Sequence, residues 1–402
     1  MKIRLPKIKK PKIHLPGKRG FVIAFFALTV IASLAYTSYY FVAKYNQDIS
    51  TLQKDKSEKE SKLEEVQRLY NELKNVDQLK RNETLQEEID NIQETYKAAV
   101  TTYEELLKLK EKTDKTKDLD ELFSKTLVLL SERKFKESSE TLSELDGKID
   151  EEAKKITASF TIPASVAENN APPGSGYSRQ RVVTDAGTFM VSIIAADLGS
   201  TRVIVDTAAD SDCSNDCPVL PLATYVSRNG AYAGVNGSYF CPATYPSCAG
   251  KTNTFDLLVM NKNKTYFNSG NNVYSNNPAV IFGNNYIRFV KSASQWGRDT
   301  SPSGVLSNYP MLVFNSNITF GGDDDPKKGS KGSRSFVANK GNTVYIGVVH
   351  NVTVAESARV MKGLGMENAM NLDDGGSTAL WSGGYKVGPG RNLPNVILFV
   401  RK

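Results

Sequence analysis

Twenty-three consecutive residues without a charged side chain, Phe21 to Ala43, constrain this chain before anything else does. As a helix rising about 1.5 Å per residue, the run extends roughly 34 Å, enough to cross a bilayer core with some tilt. Tyr36, Tyr39, Tyr40 and Tyr45 gather at its far end, as amphipathic rings do at a membrane interface. Residues 1–20 hold eight Lys or Arg and no acid, so the formal net charge of +7 leaves about −1 for the remainder. The basic character therefore belongs to the leader, which argues against a nucleic-acid-binding face on the folded part. A basic cytoplasmic tail (1–20) and a transmembrane helix (21–43) predict a single-pass membrane protein whose carboxy-terminal domain is extracytoplasmic. A cleaved signal peptide is the rival reading, with Ser33-Leu-Ala35 as a passable cleavage site. The length of the run and its aromatic continuation favour a retained anchor.

Cysteine usage agrees with export. Cys213 and Cys217 are close in sequence, as are Cys241 and Cys248, with no His near them and no zinc-ribbon spacing. Two disulfides in an oxidising compartment is the natural reading, with the two local pairings preferred among three connectivities. A Cys241–Cys248 bridge would brace the loop leaving Asn236.

Residues 44–158 are expected to form an α-helical coiled-coil stalk. Leu85, Ile89, Ile92, Tyr96, Ala99, Tyr103 and Leu106 step by alternating fours and threes, a heptad seam that predicts a homodimer or a hairpin folded on itself. The step breaks near Asn75 to Arg81, and a turn is expected near Arg133 to Phe135. Residues 159–179 then bring Pro163, Asn169, Asn170, Pro172, Pro173, Gly174 and Gly176, the composition of a linker. From 180 to 402 short β-rich runs take over: Thr188–Ala195, Thr201–Asp206, Leu257–Met260, Ala279–Phe282, Tyr286–Val290, Met311–Phe314, Thr343–Val349 and Val396–Val400. Leu222 to Asn229 and Val354 to Leu364 read as helices. The fold class is α+β: a β-rich outer domain with a few helices, behind a transmembrane helix and a stalk.

Within the outer domain two polar turns follow apolar runs. One is Asn371-Leu-Asp-Asp-Gly-Gly-Ser-Thr-Ala-Leu-Trp381, where two carboxylates meet two glycines and two hydroxyls; the other is Asn236-Gly-Ser-Tyr-Phe240. Glycines let backbone amides approach a ligand closely, and the flanking Asp, Ser and Thr supply polar handles. A pocket built from distant segments would look like this, although a pair of ordinary tight turns would too.

Taken with Ser333-Arg-Ser335, the helix from Ala355 to Leu364 and the closing Gly390-Arg-Asn-Leu-Pro-Asn395, these turns resemble the phosphodiester glycosidase family over residues 180–402. This is the family of the lysosomal uncovering enzyme, N-acetylglucosamine-1-phosphodiester α-N-acetylglucosaminidase. Its pattern usually reads Asn-Gly-Gly-Phe-Phe where this chain has Ser238 and Tyr239, and Asp-Gly-Gly-Gly-Ser where it has Asp374 for the first Gly. The resemblance implies a glycosidase that hydrolyses a sugar-1-phosphodiester, here in an envelope or extracellular glycan. Such a reaction needs a carboxylate that supports an oxocarbenium-like centre or positions a water, a cationic phosphate clamp, and amides that fix the sugar.

Asp373 is the candidate carboxylate, and Arg334 and Arg391 are candidate clamps because a planar guanidinium forks onto phosphate oxygens. Asn236, Gly237, Asn371 and Asp374 are candidate substrate-binding residues, and the amides of Gly375, Gly376 and Ser377 could form an anion nest. His350 and Glu356 are candidate acid–base groups. Each has a structural alternative: a capping or Asx-turn role for Asp373, surface charges for the arginines, turn bonds for the asparagines, a structural histidine, and a helix-dipole role for Glu356. Asp323-Asp-Asp325 lacks the spaced ligands of a calcium loop and reads as solvated. No metal or cofactor is expected, and no Walker loop, dinucleotide fingerprint or Gly-x-Ser-x-Gly elbow occurs. The alternatives to catalysis are a non-catalytic glycan-binding module on a coiled-coil stalk, motivated by Asp374, and an envelope scaffold acting through the stalk.

Overall fold

The computed structural model describes residues 18–74, 76–297 and 301–402; most of the basic tail lies outside the described residues. The uncharged run sits in one 57-residue helix, Lys18–Lys74. Among the described residues this helix is long and apolar enough to cross a membrane, and Phe25, Leu34 and Phe41 lie exposed along it. A second helix, Asp77–Lys110, begins where the heptad step falters.

Met1–Asp90 and Asn91–Lys402 are two separate compact units. The second includes the end of the helix Asp77–Lys110 and two more helices, Lys117–Ser131 and Phe135–Ser159. Leu106, Leu109, Leu119, Leu145 and Ile149 bury one another, Ala99 meets Leu130 and Leu142, and Tyr103 stacks on Phe123 at 4.8 Å. The carboxy-terminal end of the heptad seam is thus spent within the chain, while Leu85, Ile89 and Tyr96 stay exposed. Arg133 takes a positive φ at the predicted turn between the two shorter helices.

The proline- and asparagine-rich segment that reads as a linker is tied down. Gln180 Nε2 donates to the carbonyls of Asn169 and Ala171, and the Asn170 side chain bonds both backbone groups of Val183. The first strand, Gly176–Thr184, accordingly starts inside the expected linker.

Three sheets follow among the described residues. A seven-stranded sheet has the order Gly176–Thr184, Gly187–Asp197, Thr343–Val352, Gly332–Lys340, Asn368–Asp374, Met311–Phe314, Asn317–Ile318. A five-stranded sheet runs Tyr385–Val387, Leu380–Ser382, Ala233–Asn236, Asn395–Arg401, Thr201–Thr207, and a second five-stranded sheet lies within residues 259–307. Ile194, Ile346, Val348, Val337, Met370 and Leu372 from the large sheet pack against Val205, Val235, Ile397, Phe399, Val280 and Leu306 from the other two. The helix Val354–Gly363 covers the opposite face of the large sheet, contributing Ala358 and Met361 beside Phe336 and Val349. Strands buried on both faces need continuous apolar runs rather than alternation, hence sequences such as Ala279-Val-Ile-Phe282 and Val396-Ile-Leu-Phe399. Both local disulfides, Cys213–Cys217 and Cys241–Cys248, are formed.

Candidate active site

The strand Asn368–Asp374 lies inside the large sheet, between Gly332–Lys340 and Met311–Phe314. Buried Ala369, Met370 and Leu372 fix its register, so its end delivers Asp373 and Asp374 into the turn Gly375–Ser377. Gly375 takes a φ of 59°, which a side chain would resist.

Asn236, at the end of a strand in the other sheet, clamps this turn. Its Nδ2 donates to the Asp373 carbonyl at 2.7 Å, and its Oδ1 accepts from Ser335 Oγ at 2.8 Å and from the Ala379 amide at 3.1 Å. The Asp373 amide donates in turn to the Gly237 carbonyl at 2.9 Å. The two polar turns, 137 residues apart, are therefore in direct contact. Asn236, Ser335 and Asn371 are fully buried, so all three act as bracing.

Asp373 and Asp374 divide the work. Asp374 is fully engaged: Oδ2 accepts from Arg334 Nη1 at 3.1 Å, Asn371 Nδ2 at 2.9 Å and the Tyr239 hydroxyl at 3.3 Å, and Oδ1 accepts from the Ser335 amide at 3.1 Å. Burial raises its pKa, against the opposing pull of Arg334. Asp373 has fewer partners. Its Oδ1 accepts from the Asp374 amide at 2.9 Å, and Ser377 supplies a side-chain hydrogen bond. Burial pushes this carboxyl up to about 7, opposed by Ser377 and by the charge of Arg391, and reinforced by Asp374.

Of the two arginines, Arg334 is consumed by the fold. Besides Asp374, it donates to the carbonyls of Val352, Lys327 and Ser330 at 3.3, 2.8 and 2.5 Å. A guanidinium with all its nitrogens so engaged is a structural buckle and has little left for a phosphate. Arg391 sits differently. Its amide donates to the Gly376 carbonyl at 2.7 Å, its guanidinium lies 5.2 Å from the Tyr245 ring centroid, and it pairs with Glu111.

His350 and Glu356 are held elsewhere. His350 Nε2 bonds Ser192 Oγ at 3.0 Å, and burial, with a contribution from Arg179, lowers its pKa to about 4, leaving a neutral imidazole. Glu356 closes a capping box: its carboxylate accepts from the Thr353 amide at 2.8 Å, and Thr353 Oγ1 accepts from the Glu356 amide at 3.1 Å. It also pairs with Lys331 at 3.1 Å. In the acidic loop, Asp323 and Asp325 pair with Lys328 at 2.5 and 3.5 Å, and Asp325 caps the short helix Pro326–Gly329.

Residues 229–400 match the family model for phosphodiester glycosidase. Over those residues the carboxy-terminal domain is similar to phosphodiester glycosidases. The matched span contains the Asn236 turn, Asp373 and Arg391. No curated protein matches the chain. Among solved structures, a hypothetical protein from Synechocystis is 14% identical, with 56% of this chain and 62% of that one covered and a TM-score of 0.38. The chain thus spans less than two thirds of that protein's length. The catalytic domain of zebrafish N-acetylglucosamine-1-phosphodiester alpha-N-acetylglucosaminidase, auto-inhibited by its pro-peptide, is 15% identical, with 59% and 87% covered and a TM-score of 0.45. A putative exported protein from Burkholderia pseudomallei is 12% identical, with 53% and 74% covered and a TM-score of 0.36.

Sequence reasoning passed over four groups around this turn. Tyr245, beside Arg391, lies inside the Cys241–Cys248 loop, and that bridge was its available signal. Asn308 and Asn395 hold the Asn236 turn from outside it, through the Tyr239 amide at 2.9 Å and the Ser238 amide at 2.8 Å. Glu111 arrives from 280 residues away in a segment that reads as plain helix, and nothing local marks it.

Proposed function

We propose that this protein is a membrane-anchored, outward-facing hydrolase that releases a sugar from a sugar-1-phosphodiester in an envelope or extracellular glycopolymer. The observation that carries the reading is Asp373: a buried carboxyl raised to about 7, at a turn braced by two sheets and acted on by Arg391.

In this reading Arg391 holds the phosphate and Asp373 works at the anomeric carbon. The bond from C1 to the phosphate oxygen breaks, and the phosphodiester leaves as a phosphomonoester anion that needs little protonation. Ionised Asp373 stabilises the oxocarbenium-like centre or orients the water that adds to C1. A pKa close to the working pH suits a group that must accept a proton from that water and shed it afterwards. Asn236, Gly237, Asn371, Asp374 and Arg334 keep the turn in place, while Gly375, Gly376 and Ser377 shape the wall facing the phosphate. The uncharged stretch of the helix Lys18–Lys74 supports the anchor, the disulfides support an oxidising compartment, and exposed Leu85 and Ile89 support pairing of two copies.

The test is release of free sugar from sugar-1-phosphodiesters by the full chain in detergent, alongside Asp373→Ala. Turnover that survives in the variant removes Asp373 from the mechanism, and no release from any such substrate by the wild type overturns the hydrolase reading.

A further inference from the structure

The segment just after the helix Asp77–Lys110 reaches into the glycosidase turn. Glu111 pairs with Arg391 Nη2, and its carboxylate lies so close to the turn that a Cβ on Gly376 would collide with it and with the guanidinium. This placement is fixed from several sides. Glu104 Oε1 accepts from the Ser247 amide at 2.9 Å, inside the same disulfide loop that carries Tyr245. Lys112 Nζ reaches the Lys331 carbonyl at 3.5 Å, and Leu106 and Leu109 are buried in the helical core. Side-chain exposure is 19% for Arg391 and 31% for Glu111, so solvent screens the pair only in part.

We propose that Glu111 is a specificity-determining residue: by holding one edge of the Arg391 guanidinium, it sets the charge that a phosphate meets there. The inference rests on Arg391 as the phosphate ligand. A guanidinium has five N–H donors in a fixed fork, so one edge can carry Glu111 while another receives phosphate oxygens. A phosphodiester brings a single negative charge. A phosphomonoester or free phosphate brings nearly two above its second pKa of about 6, and a carboxylate fixed beside the clamp repels the second charge as well as the first. The helical segment thereby turns a general anion site into one that prefers diesters and discharges the monoester product.

The experiment uses the full chain in detergent with Glu111→Gln, which keeps the side chain's shape, and Glu111→Asp, which keeps its charge. Binding of inorganic phosphate and of a sugar-1-phosphate monoester is measured by calorimetry at pH 5 and pH 8, and kcat/KM is measured on a sugar-1-phosphodiester. Glu111→Gln is expected to bind both monoesterified and free phosphate on the order of tenfold more tightly at pH 8, with a smaller gain at pH 5. Its diester-to-monoester preference falls accordingly, and Glu111→Asp stays close to the wild type. Equal or weaker phosphate binding by Glu111→Gln at both pH values overturns the proposal. So does loss of kcat with monoester binding unmoved, which would make Glu111 part of the chemistry instead. If the wild type turns over no diester yet Glu111→Gln shows the pH-dependent gain, the hydrolase reading fails and the role of Glu111 stands. Turnover by the wild type without that gain in Glu111→Gln leaves the hydrolase reading standing and overturns the role of Glu111.

Discussion

The Tyr239 hydroxyl lies 3.3 Å from Asp374 Oδ2, joining two positions at which this chain differs from the usual glycosidase pattern. Burial, with Asp374 and Asp373 nearby, holds the phenol well above its usual range, so it stays protonated and donates. It also accepts from Asn371 Nδ2 at 2.8 Å. Asp374 in turn answers Arg334, which is only 7% exposed. One departure supplies a carboxylate, and the other supplies a donor for it.

Unequal losses should follow from breaking this chain of contacts. Tyr239→Phe removes a hydroxyl whose partners keep other bonds, and is expected to lower stability by about 1 kcal/mol. Asp374→Gly restores the family residue but strands the Arg334 charge, and should lower stability by about 3–5 kcal/mol. Thermal unfolding of the solubilised chain decides between them; equal shifts would show that Arg334 does not depend on Asp374.

Asp373→Asn should leave the fold in place, because the backbone groups of Asp373 bind Asn236 and Gly237 whatever the side chain. Sugar release should fall by roughly 10²–10⁴-fold, the range for losing a positioned acid–base group. Steady-state rates, together with an unchanged unfolding temperature below pH 4, where the carboxyl is protonated in both states, check both halves.

Two opposed pH effects are expected on stability. Asp373 is raised from 3.8 to about 7 in the folded state, so its contribution is complete below about 4 and is lost as pH rises through 7. His350 is lowered from 6.5 to about 4, so its contribution is complete above 6.5 and is lost as pH falls through 4. Asp373→Asn should therefore gain on the wild type as pH rises from 4 to 7, and His350→Asn should gain as pH falls from 6.5 to 4. Unfolding midpoints across pH 4–8 test the signs. Catalysis by ionised Asp373 adds a third mark: wild-type kcat/KM on a diester should rise with pH through about 7.

Asn236→Ala deletes three hydrogen bonds in a site with no exposure, and leaves the Ala379 amide and Asp373 carbonyl short of partners. A loss of about 3 kcal/mol or more is expected, with activity falling alongside. Urea unfolding followed by the near-ultraviolet signal measures it, and a loss under about 1 kcal/mol would mean that the turn is held by other means.

Legibility in the sequence followed the range of the interactions. Strands with continuous apolar runs were readable to within three residues: Ala279–Phe282 and Met311–Phe314 match their predicted bounds, while the strand expected at Thr343–Val349 runs on to Val352. Gly332–Lys340, with Ser333, Arg334 and Ser335 at its start, escaped because polar residues that face the site interrupt the pattern. The capping box at Thr353 and Glu356 is a local signature, yet Glu356 still read as an acid–base candidate, because the cap shows only once the helix start is known. The division between Arg334 and Arg391 could not be read at all. It depends on the carbonyls of Lys327, Ser330 and Val352 converging on one guanidinium, and sequence does not encode that convergence locally.

Asn236 belongs to one sheet, and the carbonyl it grips belongs to another. A half-built domain with either sheet alone has the residues of the site but no site. Activity is thus a reporter of sheet docking: in a refolding experiment, turnover should appear together with burial of the shared core, and no partially folded species should hydrolyse substrate ahead of it.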